Sequence, residues 1–462
     1  MEVSINTLLS KVKDAGVVGA GGAGFPTHVK LAGEVDTIVI NGAECEPLLD
    51  VDIQLLENEA ESLLTGLEVL VRILGAKEGI VALKAKHEKA KERLREVLAG
   101  KDKASKLRLH LLDDFYPVGD EPILLYEVVG KVVPEGNIPL VLKCLVINVE
   151  TLKNIIRAID GKPVITTCVT VAGRVKEPGT FEIPVGASIK WLLEAVGGAD
   201  LDDYGVMVGG PMTGTVLSKA EVEQNTSKPG HMPVITKTTK AVLVLPADHS
   251  IFRHHALNIG VVLQRAQSAC CQCRLCTDLC PRYLLGYEIE PHLALNRINH
   301  GQTQDPAAIT HAFLCSDCGV CELYACPVGL SPRRIYQAFK EELLKQGVAN
   351  PHIKAKPPKG PREAWAGRHI PTNQLLLRLG LGGYEQKAPW RQLKVLPSRV
   401  TIPLKQHVGV PAEPLVQKGE IVEAGQLIGE PPVSALGASI HSSINGRISE
   451  VTEKAVVIQI DG

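Results

Sequence analysis

Eight of the twelve cysteines in this 462-residue chain fall into two compact runs, and their spacing restricts the fold more than any other feature. The first run is Cys270-x2-Cys273-x2-Cys276-x3-Cys280-Pro281, and the second is Cys315-x2-Cys318-x2-Cys321-x4-Cys326-Pro327. Three thiolates spaced by two residues can wrap one corner of an iron–sulfur cube, while a fourth set before proline reaches the other cube. The pattern predicts one [4Fe–4S] cluster on Cys270, Cys273, Cys276 and Cys326, and a second on Cys315, Cys318, Cys321 and Cys280. The rival chemistry is a pair of structural zinc sites, since CxxC pairs also bind zinc. Zinc takes its four ligands as two pairs, whereas each run offers three close thiols and a distal one. The second run has four residues before its last cysteine where three is usual, which predicts a local backbone bulge without loss of a ligand. Cys271 is an extra thiol inside the first run, so a one-residue slip in ligand choice stays open.

The chain is too long for one ordinary core, and about three or four domains are expected. A net charge of −1 gives no field to attract nucleic acid, and 4% aromatic residues leave little for a base-stacking platform. The start, Met1-Glu2-Val3-Ser4-Ile5-Asn6, has no basic segment followed by an apolar one. The apolar stretch 140–149 is broken by Lys143 and Asn148 and is too short to span a bilayer. Clustered thiols at metal spacing fit a reducing compartment, so the expectation is a soluble, intracellular, multidomain redox protein. The fourteen histidines form no HxxH or HExxH pattern, which argues against a zinc hydrolase. Cys45, Cys144 and Cys168 stand alone and read as buried structural thiols.

Periodicity divides the chain into a multidomain α/β plus α+β protein. Over residues 1–160, β-branched runs at 37–41 and 79–83 alternate with periodic segments at 52–74 and 84–98, predicting a Rossmann-like domain with a largely parallel sheet. Over 161–250, short strands at 169–171, 180–183 and 206–208 surround one helix at 188–196, predicting a small β-grasp module. The cysteine runs lie in a helical, ferredoxin-like region at 251–345. The segment 346–395 contains a tract rich in proline, lysine and glycine (354–367) and reads as a linker. From 396 to 462, regularly spaced glycines between β-prone runs predict a barrel-like sandwich. Near the N-terminus, Ile5, Leu8, Leu9 and Val12 form an i, i+3, i+4, i+7 stripe. It suits a first helix packing on its own domain better than an encapsulation helix.

A second motif is Gly19-Ala20-Gly21-Gly22-Ala23-Gly24-Phe25-Pro26, with Lys30 close behind. Glycines let backbone amides approach a phosphate, and a lysine neutralises it. Asn41-Gly42-Ala43-Glu44-Cys45-Glu46-Pro47 follows the first strand at its carboxyl end, where open α/β sheets bind ligands. Downstream lie Tyr116-Pro117-Val118-Gly119-Asp120-Glu121 and Ile147-Asn148-Val149-Glu150-Thr151. Together these segments resemble the flavin-binding subunit of respiratory complex I and its relatives. The resemblance implies FMN contacts from Gly19, Gly21, Gly22, Lys30, Asn41, Glu44, Gly119, Glu121 and Asn148. It also implies that Phe25 and Glu46 help to hold NADH against the flavin. The aromatic residues that sandwich the adenine in that family are not evident, since Leu31 and Gly33 follow Lys30.

The order of flavin domain, β-grasp module (SLBB-like) and dicluster region is similar to the RnfC-like group. That group carries a lipoyl-like domain, normally at its N-terminus. Here the similar segment begins at Ile402-Pro403-Leu404 near the other end, and its turn His441-Ser442-Ser443-Ile444-Asn445-Gly446 lacks the lysine of true lipoyl carriers. Docking, not a swinging arm, is the expected role. This permuted order resembles the cobalamin-reducing branch that serves propanediol-utilisation microcompartments. The resemblance implies an NADH-dependent corrinoid reductase with FMN and two [4Fe–4S] clusters. Its implied partners are a corrinoid adenosyltransferase and microcompartment shell proteins, in the cytoplasm within a bacterial microcompartment. Two alternatives stay open: an RnfC-like subunit of another reductase, and a non-catalytic electron relay.

Overall fold

The computed structural model describes residues 4–102, 105–224, 232–300 and 306–460. The first three residues of the N-terminal segment read above lie outside them. Strands β1 (Thr37–Gly42), β2 (Glu78–Lys84), β3 (Leu107–Leu112) and β4 (Cys144–Asn148) form a parallel sheet in the order β3-β2-β1-β4. β1, β2 and β4 are almost wholly buried, as a parallel sheet covered on both faces requires. The two faces bury different partners. Ile38, Ile40, Val81, Leu145 and Ile147 pack on helices α1 (Ile5–Asp14), α2 (Val51–Asn58), α3 (Ala60–Leu74), α4 (Glu88–Ala99) and α6 (Val149–Ile159). Val39, Ile80, Ala82 and Val146 pack on α5 (Glu121–Val129) and directly on the cysteine region, through Cys276, Cys280, Leu284, Tyr287 and Tyr336. The cysteine region thus serves as part of the flavin domain's second layer.

Two local expectations are corrected. The continuous helix expected over 52–74 breaks at Glu59 (φ −122°, ψ 19°), whose carboxylate faces Lys153 at 2.7 Å. The helix expected from 84 begins at Glu88, because Lys84 is the buried last residue of β2 and pairs with Asp114 at 3.1 Å. The N-terminal stripe enters the core: Leu8 and Val12 are fully buried, while Ile5 faces solvent. α1 is therefore the first helix of this domain.

The β-grasp module is a five-stranded sheet with helix α7 (Ile189–Ala195) against it. Its strands are β5 (Thr166–Gly173), β6 (Gly179–Pro184), β7 (Tyr204–Val208), β8 (Thr215–Ser218) and β9 (Ala241–Pro246), ordered β6-β5-β9-β7-β8. Only the β5–β9 pair is parallel. The cysteine region includes helices α8 (Ile259–Ala269), α9 (Pro291–His300) and α10 (Pro332–Lys345).

The segment 346–395, expected to be a loose linker, is instead fastened down. Ile370–Pro371 pairs with Phe115–Tyr116, buried Trp365 donates its indole N–H to Glu127 at 3.1 Å, and Leu375 and Leu379 enter a shared core. Proline and glycine prevent long regular elements there, but intermittent apolar anchors are enough to bind it. The C-terminal domain is a two-sheet sandwich. One sheet holds Arg399–Pro403, Ala455–Gln459, Gly446–Val451 and Ile421–Val422, and the other holds Glu413–Pro414, Leu427–Glu430 and Ile440–His441. Its turn at 442–444 is buried, with Ser443 Oγ donating to Val185 O at 2.6 Å. No helix among the described residues is long and apolar enough to cross a membrane.

Candidate functional site

The residues expected at a flavin gather at the carboxyl edge of β1 and β4. The glycine loop turns over that edge, where Gly24 N–H donates to Gly19 O at 3.2 Å and Ala20 N–H to Thr151 Oγ1 at 2.9 Å. The amides of Gly21, Gly22 and Ala23 take no acceptor within the described chain and are exposed. Gly22 has φ +113° with open space where a Cβ would stand, whereas a Cβ on Gly21 would lie 3.6 Å from Asn148. Three consecutive free amides on this edge form a cradle for an anionic group. Lys30 Nζ stands nearby, bonded to Glu121 Oε1 at 2.5 Å and Val146 O at 3.0 Å.

Asn41 and Asn148 lie at the ends of their strands. Asn41 Nδ2 donates to Gly119 O at 2.9 Å, which brings the 116–121 turn over β1. Asn148 caps α6 and donates to Asp52 Oδ2 at 2.5 Å. Glu44 occupies the left-handed region (φ 37°), and its carboxylate accepts the Asp52 N–H at 2.5 Å. Strain of this kind gathers at ligand sites. Burial, reinforced by the Asp52 charge, pushes the Glu44 carboxyl well above its usual range.

Several residues here escaped the sequence reading. Lys240, at the foot of β9, ion-pairs with Glu150 and reaches Asp52 at 3.7 Å and Asn148 Oδ1 at 3.5 Å. Burial works to lower its pKa, but Glu150 and Asp52 outweigh this and hold it charged. Cys45 Sγ accepts the Gly119 N–H at 2.8 Å, and burial raises its thiol pKa. Glu150 and Cys45 adjoin recognised positions and were within reach of the motif. Lys240, remote in sequence, left no local signal.

The two residues expected to hold NADH fare differently. Phe25 is half-exposed and joins none of the apolar cores among the described residues. Glu46 is already engaged within the chain: its carboxylate accepts Met212 N–H at 2.9 Å and Thr213 Oγ1–H at 2.5 Å. It serves a junction with the β-grasp module, and burial raises its pKa.

The cysteines ring two cavities in the combination their spacing predicts. Cys270, Cys273, Cys276 and Cys326 line one, with Cys271 beside them. Cys280, Cys315, Cys318 and Cys321 line the other. As free thiols they oppose ionisation together. Cys276 is pushed up to about 12 by burial and by Cys326 and Cys270, and Cys318 to about 12 by burial and Cys280. A cationic centre reverses that balance. Among the described residues no group of three or more His, Cys, Asp or Glu is placed to hold a single metal ion. Thiols spread around a cavity suit a four-iron cube better than one zinc ion.

The extra residue of the second run is absorbed as a π-turn over Val320–Tyr324, where Ala325 N–H donates to Val320 O at 2.8 Å. This second cavity is the inner one. Arg282 makes a two-point ion pair with Asp120 (2.7 and 2.8 Å), and Tyr116 Oη donates to Cys318 O at 2.7 Å, so the flavin edge abuts it. The other cavity is outer, with Cys271, Cys273, Pro327 and Val328 exposed.

Family profiles match four stretches of the chain. The Nuo51 FMN-binding domain matches residues 12–157, the SLBB domain 168–216, the 4Fe-4S dicluster domain 269–331 and the RnfC barrel sandwich hybrid domain 385–461. The chain is 40% identical to the cobalamin reductase PduS of Citrobacter freundii, over 98% of this chain and 96% of that protein. Identity to the cobalamin reductase PduS of Salmonella typhimurium is 39%, over 99% and 97%. A solved structure of an NAD+-reducing [NiFe]-hydrogenase superposes with a TM-score of 0.49 at 22% identity, over 78% of this chain and 69% of that one.

Proposed function

The chain belongs to the family of the cobalamin reductase PduS, and from that premise we propose that it carries electrons from NADH to the cobalt of a corrinoid. When bound, FMN turns two-electron hydride chemistry into single-electron chemistry, and two [4Fe–4S] clusters carry single electrons. The chain's own residues hold and insulate. The free amides at 21–23 and Lys30 suit an anionic phosphate, and Asn41, Glu44, Gly119, Glu121 and Asn148 on the same edge would supply the other contacts to the flavin. Cys280, Cys315, Cys318 and Cys321 would hold the inner cluster, and Cys270, Cys273, Cys276 and Cys326 the outer one. No side chain needs to act as acid, base or nucleophile.

The observation that carries this reading is the junction between flavin edge and inner cysteine cavity, made by Arg282 with Asp120 and Tyr116 with Cys318. The outer cavity's exposed rim suits delivery to an acceptor such as a corrinoid adenosyltransferase. We place the protein in the cytoplasm, inside a bacterial microcompartment with shell proteins as neighbours. One observation favours a second reading, an electron relay fed by another reductase: Glu46 is already held by Met212 and Thr213. Anaerobic purification followed by NADH addition tests both. Bleaching of flavin and cluster absorbance, followed by reduction of added cob(III)alamin, supports the reductase. Chromophores that stay oxidised until dithionite is added overturn the NADH step and leave the relay.

A further inference from the structure

The inner cysteine cavity has two buried hydrogen-bond donors that find no acceptor among the described residues. Both come from α10, which runs along its wall. Tyr336 is fully buried and its hydroxyl has no partner; Arg333 is 5% exposed and its Nε has none. Both residues line the cavity together with Cys280, Cys315, Cys318 and Cys321. An unpaired buried hydroxyl is left with its full desolvation penalty, so a native core keeps one only where something else accepts it.

The rest of the guanidinium is held in place. Arg333 Nη1 donates to Met212 O at 2.5 Å, and Nη2 meets Glu322 Oε1 at 2.5 Å. Glu322 is the residue that the π-turn carries inward: it directly follows Cys321, and its side chain is fully buried. The extra residue of the second cysteine run therefore fixes the arginine at the cavity wall. The outer cavity differs: no tyrosine lines it, its arginine, Arg274, is 43% exposed and turns Nε toward Asp278 at 3.4 Å and Nη2 toward Glu290 at 2.9 Å, and its one side-chain donor to sulfur is Gln272 Nε2, 3.4 Å from Cys270 Sγ on the exposed rim.

We infer that Tyr336 Oη–H and Arg333 Nε–H are hydrogen-bond donors to the sulfur atoms of the inner iron–sulfur cluster, raising its reduction potential above that of the outer one. Hydrogen bonds and positive charge near cluster sulfurs favour the reduced, more negative state. Glu322 is a positioning residue that holds Arg333.

The test is a redox titration of the anaerobically purified, reconstituted full chain, followed by electron paramagnetic resonance. It needs neither NADH nor a corrinoid, so it can fail while the proposed function stands. Cys318→Ser assigns the inner signal. Tyr336→Phe is expected to lower the midpoint of that signal alone, reducing its reduced-to-oxidised ratio at fixed poise about fivefold, or about 40 mV for one electron. Arg333→Lys should move the same signal the same way. If Tyr336→Phe loses iron on purification, Arg333→Lys decides. Unmoved midpoints, or equal shifts in both signals, overturn the inference.

Discussion

The flavin-binding domain meets its neighbours through two junctions built on opposite principles. Toward the cysteine region the polar contacts are paired: Arg282 with Asp120, and Tyr116 with Cys318. Toward the C-terminal sandwich they are backbone approaches around unpaired bases. Val408 N–H donates to Gly24 O at 3.0 Å, and fully buried Lys237 sits between Gly16 O and Ser439 O, at 2.7 Å from each. Burial alone lowers Lys237 to about 7. His407 and His441 lie close by, and neither imidazole faces a carboxylate partner in an ion pair. The first junction resists change and suits a fixed spacing between flavin and inner cluster. The second seals the glycine loop but responds to its surroundings.

The largest effect should come from breaking the first junction. Asp120→Ala leaves Arg282, only 16% exposed, without its partner. A loss of about 3 kcal/mol is expected, the low end for a buried pair because both side chains keep some solvent. Denaturant unfolding read in the near ultraviolet measures it. Replacing both residues, Asp120→Ala with Arg282→Met, should recover much of that loss, since no lone charge is then left buried. A double variant as unstable as the single one would show that Arg282 holds the fold in another way.

Gly16→Ala attacks the second junction. Gly16 has φ +65°, and a Cβ there would stand 2.2 Å from Ser439 O and 2.6 Å from Lys237 Nζ. Strain plus displacement should cost about 2 kcal/mol, read as a lower melting temperature together with faster proteolysis of the C-terminal sandwich. Release of the sandwich with the flavin domain still folded would sharpen the contrast between junctions. Tyr116→Phe is smaller: it removes one hydroxyl from Cys318 O and should cost about 1 kcal/mol in the same unfolding measurement.

The reach of the sequence differs between these regions for a physical reason. The grouping of Cys270, Cys273 and Cys276 with distant Cys326 around one cavity is legible because cluster chemistry imposes local spacing on the thiols, and the chain supplies the closure. The extra residue before Cys326 was visible, but its form as a π-turn carrying Glu322 inward depends on Arg333 waiting there. Glu46 occupied a family position, yet the β-grasp loop at 212–213 took its carboxylate. Lys240 and Lys237 join sites through contacts more than a hundred residues apart or through carbonyls, and no periodicity encodes those. Composition made 346–395 read as loose, whereas apolar anchors such as Trp365, Ile370 and Leu375 decide its packing.

Acidity should separate the junctions with the smallest but most selective effect. Burial, aided by the Lys237 charge, holds His407 near about 4 and His441 near about 3, against an ordinary value of 6.5. The unfolded chain takes up protons below 6.5, while the sealed junction refuses them until about 4. Stability from these histidines is therefore whole above 6.5 and is lost as pH falls through that window. Lys237 acts in the same direction, since its depressed value makes the junction tighten as pH rises from about 7 toward 10.5. Both histidines keep some solvent contact, which discounts the size. Hydrogen exchange reads the effect at one amide on each side. After correction for intrinsic rates, protection of Val408 N–H should fall between pH 7 and 5, while Leu284 N–H, bonded to Cys280 O at 2.9 Å, should hold. His407→Gln should flatten the Val408 response. Equal loss at both amides would mean that acid acts on the whole domain and that the two junctions do not differ in this respect.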